Sequence, residues 1–403
     1  MENLSLAQKA LDQGKGILRL APTWVPRSFC VPGRRIKLHP DDYYVLGGQR
    51  GGIDERWFSS TTPAKNGPLT GENEGLSAVV FDDEKILLRD AVSELKGALI
   101  GERLWNEYEA WPMYSKFFDN MGPLPHHIHH NDEKAALIGQ LGKPEAYYFP
   151  PQVNNHGGDF PYTFMGIAPG TTKDQIRECL VNFTKGDNRI TSYSQAYRLE
   201  PGTGWDVPPG LLHAPGSMCT YEPQKASDVF AMYQSLVNEA IIPEELLWNG
   251  TPKENIGDFD ALLDVIDWEL NVDPFLYQNR FMAPRPVRSI SEMEAEQYSE
   301  KWVCYKSDAF SAKELTVFPG ATVTIKDGAA YGIIVMQGHG KMGVWDIDTP
   351  ALIRYGQLTN DEFFISESAA REGVKIVNPS ATDPIVILKH FGPNNPDLLN
   401  LIP

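Results

Sequence analysis

The sequence has no run of about eighteen apolar residues, so no transmembrane helix is expected. It has only four cysteines, which are widely scattered and form no Cys-x-x-Cys pair. Free thiols in a reducing compartment are therefore expected, rather than a disulfide framework. The stretch from Met1 to Lys15 carries early charges without an apolar core, so a signal peptide is not expected there. These absences predict a cytoplasmic protein.

Positive charge is also scarce in this chain. Lysine and arginine total 36 against 53 aspartate and glutamate residues, which gives a formal net charge of −17. This balance argues against a nucleic acid or an anionic membrane as the partner. A phosphorylated small molecule is not excluded, because a single pocket can be locally basic.

The composition that remains is that of a globular protein with many turns. Hydrophobic residues make up 42% of the 403 residues, and the 35 glycines and 31 prolines favour short strands over long helices. The length exceeds a usual single core, so two domains are predicted. We expect an N-terminal domain over 1–270, a proline-rich linker over 271–300 and a C-terminal domain over 301–403.

Helical periodicity is confined to a few segments. Leucines and alanines at helical spacing predict a short helix over 3–13, and an apolar stripe predicts a packing helix over 86–110. Thr172 is predicted to begin another helix, and the acidic region 243–272 is also helical in pattern. The remaining chain has a strand-and-turn rhythm, so we predict a mainly β protein.

Four of the nine histidines fall within five positions, 126–130. Alternate residues of a strand face the same way, so His127 and His129 should project together while the other two face the opposite side. Histidine and carboxylate ligands together suit a divalent metal such as zinc, manganese or iron. Glu145, in the strand-like run that follows, is a candidate for the carboxylate.

Three further residues near this stretch carry potential chemistry. A Val-Pro-Pro-Gly turn presents His213. A lone histidine is usually structural. Because the His-x-His pair with Glu145 lacks a fourth protein ligand, however, His213 is a candidate for that ligand. Lys116 interrupts an aromatic run, so its ammonium either reaches the surface or points into a polar pocket. His156 is interpreted as a histidine of a surface loop.

Taken in order, these segments resemble type I mannose-6-phosphate isomerases of the cupin superfamily, especially the short bacterial forms. Residues 123–135 lie over the family's Pro-Leu-Ser-Ile-Gln-x-His-Pro-Asp-Asp-x-x-Ala segment. Residues 142–145 are similar to its Gly-Lys-x-Glu, and residues 208–214 to its Pro-Ala-Gly-x-x-His-Ala. Flanking segments that agree with the family pattern are 54–60, 111–116, 169–173, 222–228 and 261–267.

The resemblance implies two cupin domains, which are jelly-roll β-barrels with helical insertions, and a metal site in the first domain alone. It implies one divalent ion, with zinc ranked first and manganese or iron as alternatives. The implied metal ligands are His127, His129, Glu145 and His213. Lys143 and Glu222 are the candidate catalytic residues, although Glu222 has an equal alternative as a structural hydrogen-bond acceptor. Lys116 and Arg198 are candidate contacts for an anionic substrate group.

The activity implied by the resemblance is metal-dependent aldose–ketose isomerisation of a sugar phosphate, an intramolecular oxidation and reduction. A base would remove the proton beside the carbonyl while the metal stabilises the enediolate. Two positions depart from the family pattern, because His127 stands where the family has glutamine and Met232 where the short forms have arginine. A methionine cannot donate a hydrogen bond to a phosphate.

The alternatives follow from these two departures. The first is an isomerase or epimerase of an unphosphorylated sugar, and the second is a non-catalytic cupin that binds carbohydrate. A metal dioxygenase ranks last, since three histidines and one glutamate permit it but the flanking segments do not favour it. The expected partner is a small-molecule sugar or sugar phosphate, with no nucleic acid and no membrane, and a homodimer is left open.

Overall fold

The computed structural model describes residues 4–154 and 160–400, and its regular structure is mainly β, as predicted. The strands β1 to β27 span, in chain order, Ile17–Ala21, Thr23–Arg27, Gly52–Phe58, Ala78–Phe81, Glu84–Leu87, Met113–Phe118, His127–Ile128, Glu145–Tyr148, Tyr162–Ile167, Ser194–Arg198, Gly204–Val207, His213–Ala214, Thr220–Lys225, Ala231–Met232, Leu236–Val237, Ala240–Ile241, Phe281–Met282, Arg285–Pro286, Tyr298–Cys304, Ser311–Val317, Thr322–Ile325, Tyr331–Gln337, His339–Met342, Trp345–Asp348, Glu362–Ile365, Val374–Val377 and Ile385–Phe391. The helices α1 to α13 span Leu6–Gln13, Leu88–Leu95, Gly97–Ile100, Glu102–Tyr108, Asp132–Ala136, Pro151–Asn154, Lys173–Val181, Glu244–Leu247, Phe259–Leu263, Trp268–Asn271, Leu276–Arg280, Ile290–Ala295 and Glu367–Glu372.

Within the described residues, the strands form four larger sheets and one small hairpin, β15-β16. The seven-stranded sheet has the order β17-β11-β8-β13-β6-β3-β2, and the five-stranded sheet has the order β10-β9-β12-β7-β14. The nine-stranded sheet has the order β18-β19-β20-β27-β22-β25-β1-β4-β5, and the four-stranded sheet has the order β21-β26-β23-β24. Neighbouring strands run antiparallel, which suits the short turns that the glycines and prolines predict.

The sheets pack face to face as two sandwiches. In the first sandwich, Phe118 of the seven-stranded sheet shares a core with Met165 of the five-stranded sheet. In the second sandwich, Leu315 of the nine-stranded sheet shares a core with Ile376 of the four-stranded sheet. Each pair of sheets therefore encloses its own interior, where a binding site can be built from alternate residues of the strands.

The two sandwiches also pack against each other through their larger sheets. Phe117 and Tyr221 of the seven-stranded sheet share a third core with Phe364 and Leu388 of the nine-stranded sheet. Both larger sheets are therefore covered on both faces, and β3 and β27 are buried along their whole length. This explains why these strands lack the alternation of apolar and polar residues that a half-exposed strand shows.

Two of the helix predictions can be compared directly with the structure. The helix predicted to begin at Thr172 is present as α7, and Thr172 and Gln175 form a reciprocal capping box. The single helix predicted over 86–110 is wrong, because this segment contains β5 followed by the three short helices α2, α3 and α4. The chain breaks where Lys96 and Gly101 adopt positive φ angles of 52° and 88°, which a continuous helix cannot accommodate.

Strands from opposite ends of the sequence share the nine-stranded sheet. Strand β1 pairs with β25, with Ile17 opposite Ile365, and β4 and β5 extend the sheet beyond β1. In the predicted linker, β17 pairs with β11 of the first sandwich and β18 with β19 of the second. The domain boundaries at 270 and 300 stay a prediction. No helix in the described part of the chain is long and apolar enough to cross a bilayer.

Buried polar contacts join the two sandwiches. Arg56 on β3 reaches across to β25 and donates to both carboxylate oxygens of Asp361, at 2.8 Å each, and lies 3.3 Å from Glu362. Tyr148 donates a 2.7 Å hydrogen bond to Glu314. The Arg56 guanidinium compensates two carboxylates that would otherwise be buried alone.

Replacing Arg56 with methionine should lower the free energy of unfolding by about 3–5 kcal/mol, because the buried carboxylate of Asp361 loses its cation. Chemical denaturation measures this change. The matched control is Arg177→Met, which removes an exposed ion pair with Asp260 and should leave stability nearly unchanged. Equal stability of the two variants would contradict the role given to Arg56.

Candidate metal centre

Three histidines converge inside the first sandwich. His127 on β7 lies directly opposite His213 on β12. His129 comes two residues after His127, just beyond the end of β7, and projects to the same side. One nitrogen from each of the three rings lies within 4.8 Å of the other two. All three side chains are buried. The structure therefore brings together the His-x-His pair and the distant histidine that the sequence suggested.

The backbone fixes which nitrogen of each ring points inward. The Nδ1 atoms of His127, His129 and His213 each lie 2.8 Å from a backbone carbonyl, those of Pro125, Val229 and Leu211 respectively. A carbonyl only accepts, so each Nδ1 carries the proton and donates it. In the neutral ring, Nε2 then holds a free lone pair, as a metal ligand requires.

Glu145 lies beside this group at the first position of β8. Its Oε2 atom is 3.0 Å from His129 Nε2, and its Oε1 atom is 3.2 Å from His213 Nε2. Tyr147 donates a 2.7 Å hydrogen bond to Oε1 and fixes the carboxylate. Burial acts to raise the pKa of Glu145, but Lys143, 2.9 Å away, and His129 outweigh it and hold that pKa well below its usual range. Glu145 is therefore an anion.

The residues fit a divalent cation. Burial lowers the pKa of His127 far below its ordinary value, with His213 adding to the effect, and burial together with Lys143 lowers the pKa of His129 to about 3. The rings of His127 and His129 are thus neutral at pH 7. His213 Nε2 and Glu145 Oε2 are buried without a well-directed hydrogen bond. Such orphaned acceptors around a common point match a site of three nitrogens and one oxygen.

Alternating charges extend from Glu145 across the seven-stranded sheet. Consecutive members of this charge row lie 2.9–3.5 Å apart, and none is more than 5% exposed. The charge row consists of Glu145, Lys143, Glu222, Lys116, Glu55 and Arg27. Its strands follow the sheet order β8-β13-β6-β3-β2, with Lys143 just before β8. Cross-strand neighbours of opposite charge stabilise each other, and here they also line a site.

The row sets the proton affinity of Glu222. Burial and the negative charge of Glu145 raise the pKa of Glu222 to about 8, although Lys116 and Lys143 oppose the shift at 3.3 and 3.5 Å. Burial acts to lower the pKa of Lys116, but Glu222 and Glu55 outweigh it and raise that pKa above its ordinary value. The site thus places one carboxyl that titrates near neutrality beside permanent cations.

Every member of the charge row except Glu145 lines one narrow cavity of about 30 Å³, as do His127 and His129, whereas His213 does not. Its apolar wall contains Phe29, Leu124, Phe230 and Met232, and Met232 pairs in register with His127. The position where the short bacterial isomerases have arginine therefore does face the cavity. Its thioether supplies no hydrogen-bond donor there.

The sequence-predicted residues divide into two sets. Lys116, Lys143 and Glu222 line the cavity together with the histidine pair His127 and His129. Arg198 instead lies exposed on the edge strand β10 and is not among the residues that line the cavity. His156 falls outside the described residues.

Three charged residues of the cavity were missed by the sequence reasoning. Arg27 lies 3.0 Å from Asp228 and 3.2 Å from Glu55, and all three line the cavity. Arg27 ends a short strand some hundred positions before the histidines, so no local spacing connects it to them. Glu55 and Asp228 fall within segments that match the isomerase pattern, and this was the only signal that could have indicated them.

Mainly β architecture with paired sandwiches defines the class of fold, and solved structures share it. No protein-family model and no curated protein matches the sequence. Mannose 6-phosphate isomerase from Bacillus subtilis matches with a TM-score of 0.62 at 15% identity, over 93% of this chain and 99% of that one. A point mutant of phosphomannose isomerase from Salmonella typhimurium matches with a TM-score of 0.61 at 12% identity, over 94% and 100%. A zinc-bound mannose 6-phosphate isomerase matches with a TM-score of 0.59 at 12% identity, over 94% and 100%. The resemblance is thus confirmed at the level of the fold.

The purified chain should hold one divalent ion, and His213→Ala should lose most of it, because the variant removes one of the three ring nitrogens that meet at the site. Elemental analysis after dialysis measures the occupancy. His126→Asn is the control, since His126 binds Gln234 and Ser194 and does not belong to the three-histidine group. Wild-type occupancy in His213→Ala, or equal loss in His126→Asn, would contradict the assignment.

His126 also gives a prediction for pH dependence. Burial lowers its pKa to about 4, against an ordinary value of 6.5. Between pH 4 and pH 6.5, His126 is therefore protonated in the unfolded chain but not in the folded chain. Stability from this residue is therefore present above pH 6.5 and is lost as pH falls. In metal-free protein, lowering the pH from 6.5 to 5 should destabilise the wild type by about 2 kcal/mol relative to His126→Asn. A pH-independent difference in denaturation experiments would refute the assignment.

Proposed function

We propose that the chain is a metal-dependent aldose–ketose isomerase of a sugar. The observation that carries this proposal is the three-histidine group beside ionised Glu145, with Glu222 and Lys143 lining the same cavity as His127 and His129. The mannose-6-phosphate isomerase fold supports it further. A purely structural sandwich would have no need of so many converging polar groups.

His127, His129, Glu145 and His213 would hold the ion, with zinc as the first choice and manganese or iron as alternatives. When bound, a divalent ion supplies Lewis acidity, which polarises a carbonyl and stabilises the negative charge that develops on its oxygen. Because all four ligands lie on strands or strand ends of a double-layered sandwich, their positions need no reorganisation during the reaction.

Glu222 is the proposed acid and base. A pKa of about 8 lets this carboxyl accept and return a proton at neutral pH, as the transfer between two neighbouring carbons of a sugar requires. Lys116 and Lys143 flank it at 3.3 and 3.5 Å, so the carboxylate that forms is held by two cations. The same ammonium groups can donate hydrogen bonds to sugar oxygens.

The cavity also excludes water from the reacting carbons. Most lining side chains are buried, and the half-buried Phe29 meets Phe230 in a tilted contact with ring centroids 6.0 Å apart at the apolar wall. A dry site strengthens each charge interaction within it. It also protects a carbanion-like intermediate from stray protonation.

A sugar phosphate is the first candidate substrate, in keeping with the names of the structural neighbours. A specific observation favours an unphosphorylated sugar as the second candidate. Each cation of the cavity already has a carboxylate within about 3.5 Å: Arg27 has Asp228, Lys116 has Glu55, and Lys143 has Glu145. No arginine stands at position 232 to receive a phosphate.

A panel of aldoses and ketoses, each tested with and without phosphate, should reveal metal-dependent turnover by the wild-type chain. Glu222→Gln should lower kcat by about 10²–10⁴-fold while keeping the metal, since the amide cannot carry the proton. His213→Ala should lose turnover together with the metal. Interconversion of the sugars is followed by chromatography.

The outcomes separate the candidates. Turnover of free sugars alone would refute the phosphosugar assignment and support the second candidate. A sugar that raises thermal stability without turnover would favour a binding protein. Oxygen consumption with any substrate would favour a dioxygenase. Full activity in Glu222→Gln would contradict the role of that residue, with His126→Asn as the control for general disturbance of the site.

A further inference from the structure

A second cavity, of about 450 Å³, opens in the second sandwich. Tyr298 and Trp302 of β19 form an aromatic wall, and Glu300 and Lys313 lie at its floor. Thr324 of β21 lines its exposed side. This C-terminal cavity is far larger than the cavity at the metal centre, and its volume is that of a small-molecule site.

Four buried charged groups form a cluster, and two of them, Glu300 and Lys313, line the C-terminal cavity. Asp327 lies 2.7 Å from both Lys313 and Lys389, and Lys389 lies 2.5 Å from Glu300. Lys313 is also 3.2 Å from the partly exposed Asp397. Glu300, Lys313, Asp327 and Lys389 are each less than 5% exposed. Glu300 Oε1 is the atom that contacts Lys389, so each of the four charges has a partner of opposite sign.

Packing alone does not account for this cluster. Lys313 and Lys389 lie directly opposite each other on β20 and β27, and like charges in that position destabilise a sheet. Leu315 and Ile387, two positions along on the same strands, show that apolar side chains fill this interior. Buried ions can usually be replaced by apolar groups without loss of stability. A binding role explains their presence at the floor of a cavity.

The charges of the cavity balance, which indicates a neutral ligand. The cations that line it are Arg288, Lys313 and Lys326, and the anions that line it are Glu296, Glu300 and Asp397, three of each. Alternating donors and acceptors suit hydroxyl groups, which can both donate and accept.

We propose that the C-terminal cavity binds a neutral sugar at a site separate from the metal centre. The proposal stands on this cavity and does not depend on the isomerase activity. Lys313 Nζ lies 4.6 Å from the centre of the Trp302 ring, so a ligand that reaches Lys313 alters the surroundings of this indole. Trp302 is therefore a natural reporter of binding.

The test uses metal-loaded full-length protein labelled with 5-fluorotryptophan, with the Trp302 resonance assigned by Trp302→Phe. Titration with D-mannose should shift this resonance in a saturable manner, whereas mannose 6-phosphate should bind at least about tenfold more weakly. Thr324→Phe should weaken D-mannose binding at least about tenfold by filling the cavity. Thr322→Phe is the matched control, because Thr322 is equally exposed on β21 but does not line the cavity.

His213→Ala separates the two sites. The Trp302 shift should persist in this variant, whether or not the chain isomerises any sugar. The proposal is overturned if D-mannose leaves the Trp302 resonance unmoved, or if the shift disappears in His213→Ala. An equal shift in Thr324→Phe would also overturn the location, and equal affinity for mannose 6-phosphate would overturn the neutral class.

Discussion

Opposite charges on neighbouring strands govern the interior of the first sandwich. Each ion of the charge row is too deeply buried to be solvated, so it depends on partners about 3 Å away on the adjacent strands. The side chains of this row therefore alternate in sign from one strand of the sheet to the next. Glu145 ends this row, and its contact with Lys143 keeps it an anion beside the three-histidine group. Electrostatics within the sheet thus keep the one carboxylate of the candidate metal site ionised.

The sequence predicted the parts of the site that depend on local geometry. Strand alternation selected His127 and His129, and the capping pattern at Thr172 located the start of α7. Arg27 was beyond such reasoning, because its contacts with Glu55 and Asp228 arise only when distant strands pair. The break at Lys96 was equally hidden, since an apolar stripe continues through short helices that merely follow one another.

The mainly β class followed from turn residues and short apolar runs, but the packing of the sheets did not. Strands β3 and β27 are buried on both faces, so their sequences mix apolar and charged residues without a clear period. Their charged residues face different environments: Lys389 points into the second sandwich, while His390 meets Tyr221 between the sandwiches at 2.9 Å. The surroundings of each side chain are decided by how the four sheets pack together, which the sequence of a single strand does not reveal.

The pairing of β1 with β25 constrains how this chain can be made. Ile17 and Ile365 are neighbours in the folded sheet although nearly the whole sequence separates them. A ribosome emits the first strand long before its partner, so β1 must wait until residue 365 has been synthesised. Closing so large a loop is slow, and unpaired strand edges invite aggregation meanwhile. The pairing of β1 with β25 is therefore a late step of folding, and a truncated chain that ends before β25 would leave β1 paired with β4 alone.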